Sequence, residues 1–472
     1  WNGSGTMTIN GTVIANNTAS GAGADQGGGG IYNLSGTVDI NADTVITGNH
    51  ADGAAGSGGG ILNDVNGTIT IDDAVITLNT AIRAGGGIED NGGANGSITL
   101  NNVEITLNNG GTAPGNGGGI HITGMGNVTV TGGLVSGNTA VQGGGLWNGT
   151  GTMSVNHVHV TANTATGFGV NDGGGGIYNN GGTLNVNSST LSVNLATGLL
   201  GRGGGLHLNG GTTTMITSTI SGNTSLTNGG GIFNNGALTL NANTISLNGA
   251  TISGGGISNE GSSTVSLKNT LVAGNTAIIS GRDLFGEAGS MTSAGFNLVA
   301  VIDSEVYLGT ESDIMGDITL PIEITLNALT TPEGSDIPVH SLSCPSPAAD
   351  MGDPADTMAD QNGWAVFNGT RDIGAYEAQE NCTTANTGDF TVSSSVVFPN
   401  PSNGIFTLNL AQNHNVGANI SIYEIATGKL IKEVKADAMT MELQMNGYAD
   451  GTYVMQIVSD NASETHKLVV SK

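Results

Sequence analysis

A Gly-Gly-Gly triplet followed by Ile or Leu recurs nine times in the first 260 residues of this 472-residue chain. The aliphatic residues are Ile31, Ile61, Ile88, Ile120, Leu146, Ile177, Leu206, Ile232 and Ile257, spaced by 30, 27, 32, 26, 31, 29, 26 and 25 residues. A near-constant period of this length belongs to a repeat architecture. It constrains the fold more than any other feature of the chain.

Each unit carries a second marker. An Asn, usually in Asn-Thr-Ala, closes an apolar run: Asn17, Asn49, Asn79, Asn108, Asn138, Asn163, Asn194, Asn223, Asn248 and Asn275. The distance from anchor to the next Asn is 16 to 20 residues, and from Asn to the next anchor 8 to 14. The near-constant half is a packed element and the variable half a surface loop.

The constant half alternates, as in Thr183-Leu184-Asn185-Val186-Asn187 and Thr190-Leu191-Ser192-Val193-Asn194. Apolar residues at every second position mark short strands. A unit this small cannot bury its own apolar face, so it must stack on its neighbours. The predicted fold is therefore all-β: a right-handed parallel β-helix of about ten coils, rising about 4.8 Å per coil. The glycines are expected to line a corner, where positive φ and close approach of coils exclude a Cβ. The Asn residues are expected to form an inward hydrogen-bonded ladder. A phosphate-cradling role for the glycines fails, because no helix and no Lys-Ser/Thr ending follows them. Trp1-Asn2-Gly3-Ser4-Gly5-Thr6-Met7 repeats Trp147-Asn148-Gly149-Thr150-Gly151-Thr152-Met153, which directly follows a Gly-Gly-Gly-Leu. The chain is thus expected to begin inside a coil and to continue a longer protein with more coils upstream.

Charge is sparse and negative. Residues 1–280 hold 12 acids and 3 bases, 281–395 hold 18 and 2, and 396–472 hold 7 and 5, for a net −27. Such a surface argues against nucleic-acid and anionic-membrane partners. No apolar run is long enough for a transmembrane helix.

Past Asn275 the pattern changes. Arg282-Asp283-Leu284-Phe285, Ser293-Ala294-Gly295-Phe296-Asn297-Leu298-Val299, Ser346-Pro347-Ala348-Ala349-Asp350-Met351-Gly352-Asp353-Pro354, Asp360-Gln361-Asn362-Gly363 and Arg371-Asp372-Ile373-Gly374-Ala375-Tyr376-Glu377 follow in order. About residues 270–380 resemble the choice-of-anchor end segment of secreted bacterial β-helix proteins. The resemblance implies a cap, 281–382, that finishes the helix. An open β-helix end exposes backbone and core, so a cover is also expected on physical grounds. The two cysteines, Cys344 and Cys382, bracket this segment. A disulfide between them would close a loop of about 39 residues and contribute roughly 3–4 kcal/mol in an oxidising compartment. No paired His/Cys spacing supports a metal-thiolate or catalytic alternative. Asp350, Asp353, Asp356 and Asp360 are spaced closely enough to hold calcium through hard oxygen ligands. Turn-forming Asp residues that bond their own backbone are the competing reading. No other cofactor is expected.

After a linker at 383–395, residues 396–472 form a third unit of strands and turns, which suggests a small antiparallel β-sandwich. Its Pro399-Asn400-Pro401-Ser402-Asn403-Gly404 opening, Gly451-Thr452-Tyr453 and Lys467-Leu468-Val469-Val470-Ser471-Lys472 ending resemble the type A C-terminal sorting domain of type IX secretion. The resemblance implies recognition by the translocon and its shuttle barrel protein. It implies display on, or release from, the surface of a Gram-negative Bacteroidota-type cell, with Lys472 matching the family's natural terminus.

The passenger's own role is less constrained. Many parallel β-helices are polysaccharide lyases or hydrolases, which is a warrant by analogy only. A lyase would have only Arg83, Arg202 and Lys268, in separated coils. A hydrolase needs two carboxylates roughly 5–9 Å apart. Asp72-Asp73 and Glu89-Asp90 are the best pairs, but neighbours on a strand point to opposite faces, which leaves Asp73 with Glu89 on neighbouring coils. The position after each anchor should instead point outward and stack coil on coil. It holds Tyr32, Leu62, Glu89, His121, Trp147, Tyr178, His207, Phe233 and Ser258, plus Trp1 from the partial first unit. An outward aromatic ladder of this kind would stack on glycans or a partner protein, unless the variable loops fold over it. Ice binding by Thr ladders is a remote further reading, because the Thr residues are expected to hold no one aligned register. The expectation is a non-enzymatic, adhesive or structural β-helix protein, with polysaccharide processing as the alternative.

Overall fold

The structure, a computed structural model, describes residues 1–380 and 395–472 apart from positions 113, 304, 412, 413, 415, 426, 460 and 461. Cys382, and with it the expected Cys344–Cys382 bond, lies outside the described residues, as does the linker up to residue 394. No α-helix occurs among the described residues. The chain divides into two compact units, Trp1–Thr384 and Ala385–Lys472.

In the first unit every repeat makes one turn of a parallel β-solenoid with about ten turns, as its sequence predicts. Wall one is a ten-stranded parallel sheet of the segments that follow the glycine triplets, from Ile31–Asn33 to Leu284–Phe285. Wall two holds the alternating strands, such as Thr152–Asn156 and Thr183–Asn187. Wall three holds shorter ones, such as His159–Thr161 and Thr190–Ser192. Two long strands, Ser97–Thr106 and Asn127–Ser136, run from wall two into wall three. Two-residue strands such as Thr139–Ala140 form a small fourth face. Register is strict: Met153 pairs with Leu184 and Val155 with Val186, so inward residues of successive coils stack in aliphatic columns. These columns form one continuous buried core.

The corner glycines are required by backbone contact. Gly143 has φ 61°. A Cβ on Gly144 would lie 2.5 Å from the carbonyl oxygen of Gly175, and one on Gly145 would lie 2.6 Å from that of Gly176. Both are closer than real Cβ atoms come, so no other residue allows the coils to pair there. The Asn ladder is complete from Asn17 to Asn275. Asn163 shows the pattern. Its Nδ2 donates to Asn194 Oδ1 at 3.0 Å and to Val135 O at 2.9 Å, while its Oδ1 accepts from the backbone N and Nδ2 of Asn138. Each buried amide thus satisfies two chain segments besides itself. At the last rung Asn275 Nδ2 donates to Asp283 Oδ1 at 2.9 Å.

The end segment departs from the expected cap. Only its first part extends the stack. Met291–Ser293 and Leu298–Ile302 pair with walls two and three, and Tyr307–Leu308 and Ile314–Asp317 pair on top of them. The remainder turns back and runs along the outside of wall three. There Leu342, Ala348, Ala349, Ile373 and Ala378 pack on Leu271, Ala273, Leu298 and Ala300. Polar side chains fix the alignment. Gln361 Nε2 donates to Thr190 Oγ1, Thr219 Oγ1 donates to Gln361 Oε1, and Ser221 Oγ meets His340 Nε2 at 2.7 Å. The segment flanks the rod because wall three offers it a ready surface of Thr, Ser and small apolar residues.

The second unit holds two antiparallel sheets. Val396–Phe398, Ile405–Asn409 and Thr440–Gln444 form one, and Leu430–Lys435, Asn419–Glu424, Gly451–Ser459 and Ala462–Val470 the other. Phe406, Leu408 and Leu443 of the first share a core with Ile420, Ile422, Met455, Ile457 and Leu468 of the second.

Candidate functional site

The predicted stripe on wall one stacks as expected, in the register Glu89–His121–Trp147–Tyr178–His207–Phe233. Ring centroids lie 4.3 Å apart for His121–Trp147, 6.0 Å for the parallel Trp147–Tyr178 pair, 4.6 Å for Tyr178–His207 and 4.8 Å for His207–Phe233. It is not an open surface. Glu89, His121, Trp147, Tyr178, His207 and Phe233 are all buried; only Trp1, which is exposed, and Tyr32, which is partly exposed, reach solvent. The variable loops close over the rings and bond to them. Tyr178 OH donates to Asn171 O, Trp147 Nε1 to Gln142 Oε1, and the Arg202 guanidinium lies 4.7 Å over Phe233 while pairing with Glu260. Tyr32 OH donates to Asp64 Oδ2 at 3.0 Å. The expected ligand stripe is therefore the interior floor of the loops. The driving force is ordinary: each aromatic ring removes roughly 150–250 Å² from water, at about 25 cal/mol per Å².

The stripe includes a buried polar cluster. His121 Nδ1 lies 2.8 and 3.0 Å from the two oxygens of Glu89, Thr123 Oγ1 donates to Glu89, and Arg83 stands 3.5 Å away. Burial alone would push the Glu89 carboxyl up, but the His121 and Arg83 charges hold it below the usual range. Burial drives His207 down to about 3, so it stays neutral. Asp73 does not join Glu89. It occupies the exposed turn between walls two and three at φ 47°, where Asn102 Nδ2 bonds it. The proposed carboxylate pair is thus split between a buried wall and a solvent turn.

The four candidate calcium ligands also diverge. Asp353 pairs with Lys268 at 2.8 Å, Asp356 with Arg371 and Asn269, and Asp360 accepts the backbone amides of Asn362, Trp364 and Glu377. Only Asp350 keeps carboxylate company, in a trio with Asp372 and Glu377 whose oxygens lie within 4.8 Å of one another. Those last two carboxylates already accept backbone amides from Asp350, Ala378, Phe367 and Asp372. Burial pushes Asp372 up to about 6 and Glu377 up to about 7. The turn-forming reading describes Asp353, Asp356 and Asp360. Any hard cation would have to compete for Asp350, Asp372 and Glu377 instead.

The outer side of wall two is a regular feature that sequence reading missed. Thr6, Thr37, Thr68, Ser97, Asn127, Thr152, Thr183, Thr212, Ala237 and Thr264 pair in one column. Two residues on, Thr8, Asp39, Thr70, Thr99, Thr129, Ser154, Asn185, Thr214, Thr239 and Ser266 form a second. The expectation that Thr residues hold no common register is thereby corrected. Unequal loop lengths hide the register from a count along the chain, whereas strand pairing restores it. The grid repeats at about 4.8 Å between coils and about 6.6 Å along a strand. A second internal Asn ladder was also missed. It runs Asn2–Asn33–Asn63–Asp90 and resumes at Asn148–Asn179 and Asn234–Asn259. Its signal was an Asn two places after most anchors.

In the second unit the motif residues tie the opening of the unit to its last strand. Asn400 Nδ2 donates to Lys467 O, and Asn400 Oδ1 accepts from Val469 N at 2.8 Å. Pro399 and Pro401 hold Asn400 between them. Gly404 has φ 110°, and a Cβ there would meet Asn446 Oδ1 at 2.8 Å. Tyr453, which follows Gly451 by two residues, is buried and its OH donates to Ala449 O at 2.7 Å. Lys467 is exposed, and Lys472 Nζ donates to Asn446 O and Tyr448 O. Residues 396–471 match the family described as "Secretion system C-terminal sorting domain". The chain is a parallel β-solenoid carrying a type IX secretion tail. The sorting domain indicates secretion to the cell surface or the extracellular space and engagement with the type IX machinery. Among the described residues no helix is long and apolar enough to cross a membrane. No curated protein matches the chain.

Proposed function

We propose that the solenoid acts outside the cell as a non-enzymatic adhesive scaffold, with the outer face of wall two as its contact surface. The observation that supports this is the two-column grid of Thr, Ser and Asn held in register from the first coil to the tenth. Thr is stiff at χ1, so its hydroxyls lose little freedom on binding. Each hydrogen bond gained contributes only about 1 kcal/mol net. Eighteen of the twenty positions carry Thr, Ser or Asn, the exceptions being Asp39 and Ala237. At fixed spacing they act together, which suits a flat, repeating, hydroxyl-bearing partner such as a polysaccharide.

The test is retention of the protein on neutral and acidic polysaccharides with calcium present, with release of shortened sugars followed in the same samples. Retention without products is the expected result, and Thr99→Arg with Thr129→Arg should lower it at least tenfold. Retention that these substitutions leave unchanged would reject this face. Release of products would reject the non-enzymatic reading. Inhibition of ice-crystal growth without retention on any polymer would assign the grid to ice.

A further inference from the structure

A different edge of the rod is apolar. The loops between the Asn ladder and the glycine triplets stack on one another. Thr197 N donates to Ala165 O, Leu226 N to Ala196 O, Thr251 N to Ser225 O and Ile279 N to Ile252 O. Their tips carry Phe168, Leu199, Leu226, Ile252, Ile278 and Ile279, which are 74, 71, 43, 37, 78 and 72% exposed. Side chains of this size and exposure present several hundred Å² of apolar surface. That is at or above the roughly 300–600 Å² of a typical monomer's largest patch. It approaches the roughly 800 Å² that one partner gives to a standard interface.

Two further observations narrow the occupant. The first is charge. In a chain of net −27, the loops 195–202, 224–228, 249–253 and 276–280 contain no acidic residue. The one base among them, Arg202, is turned onto Phe233 and Glu260. In the preceding loop, Asp172 is bonded to Gln142 Nε2. Two copies that repel each other elsewhere can approach along this ridge. The second is shape. Loops 164–173 and 195–202 are long, whereas 224–228, 249–253 and 276–280 are short. The ridge is therefore a raised step of two coils beside a lower apolar shelf.

We propose that this ridge is the interface of an antiparallel homodimer. A two-fold axis between the coils of Leu199 and Leu226 seats the step of each copy on the shelf of the other. Leu199 then faces Leu226, Phe168 faces Ile252, and Val141 faces Ile278. The contact is isologous and closes at two copies, so it does not propagate into a fibre.

Sedimentation of the full chain tests this. At about 10–100 μM, within the range that interfaces of this size reach, the mass should be that of two copies. Phe168→Asp and Leu199→Asp should each raise the dimer dissociation constant at least tenfold without lowering the melting temperature. Mixing Leu199→Asp with Leu226→Lys should restore the dimer, because the two introduced charges face each other only in the mixed pair. A monomer mass throughout this range would overturn the proposal. So would a dimer that both Asp substitutions leave intact, or mixing that fails to restore association. Monomers that float with phosphatidylcholine vesicles would overturn it by assigning the ridge to a lipid surface.

Discussion

The sharpest turns of the solenoid depend on single residues in the left-handed region. One column, between walls two and three, is filled mainly by residues that accept it, such as Asp43, Asp73, Asn102 and Asn269. The next corner alternates Gly48, Gly137, Gly222 and Gly274 with Leu78, Leu107, Val193 and Leu247. Val193, at φ 55° and half exposed, is the least suited, because a β-branched residue is crowded there. Val193→Asn should stabilise the solenoid by about 0.5–1 kcal/mol, measured by chemical denaturation. Asp90 carries a different cost. It replaces Asn in the second ladder, its Oδ2 is buried without a partner, and burial pushes its carboxyl up to about 6. The folded form therefore binds a proton more tightly than the unfolded chain. That contribution is full below pH 4 and is lost as pH rises to about 6. Asp90→Asn should match the parent at pH 4 and exceed it by about 2–3 kcal/mol at pH 8, a difference that paired denaturation curves would reveal.

At the scale of one coil, the ladder and the glycine corner decide whether stacking occurs. Asn163→Ala leaves Val135 O and the Asn138 amide buried without their side-chain partner. The expected loss is about 3 kcal/mol or more, read from the same denaturation curves. Gly144→Ala should prevent folding, whereas Gly181→Ala should cost only about 1–2 kcal/mol, since φ there is 90° and open space surrounds it. Circular dichroism and soluble yield separate these outcomes. The same contrast explains what could be read in advance. Glycine triplets and Asn residues recur because every coil needs them at one place, so the sequence exposes the fold directly. The fate of Trp147 and Tyr178 depends on the path of loops 139–142 and 164–173, and nothing local to the rings records it. Thr190 and Thr219 occupy polar positions of wall-three strands, and a segment about 140 to 170 places later covers them. Register across wall two was hidden for a related reason: each insertion in a loop shifts the count but not the pairing.

For the whole molecule, export and the proposed adhesion fall to different units. Deleting residues 396–472 should leave the solenoid folded but retained within the cell envelope, as fractionation with a solenoid-specific antibody would show. Secretion of the truncated chain at the parental level would contradict the role of the sorting domain. The solenoid itself raises the question of why a repeat stops where it does, because each coil templates the next. In the ladder every Asn is both donor and acceptor, so the series has a direction and no inherent last member. Asp283 receives the final hydrogen bond on Oδ1, and its Oδ2 accepts from Val301 N. A carboxylate in that position has nothing to pass on. Exchange of one nitrogen for one oxygen thus works as punctuation, ending the ladder at a coil beyond which only the strands from Met291–Ser293 to Ile314–Asp317 still stack.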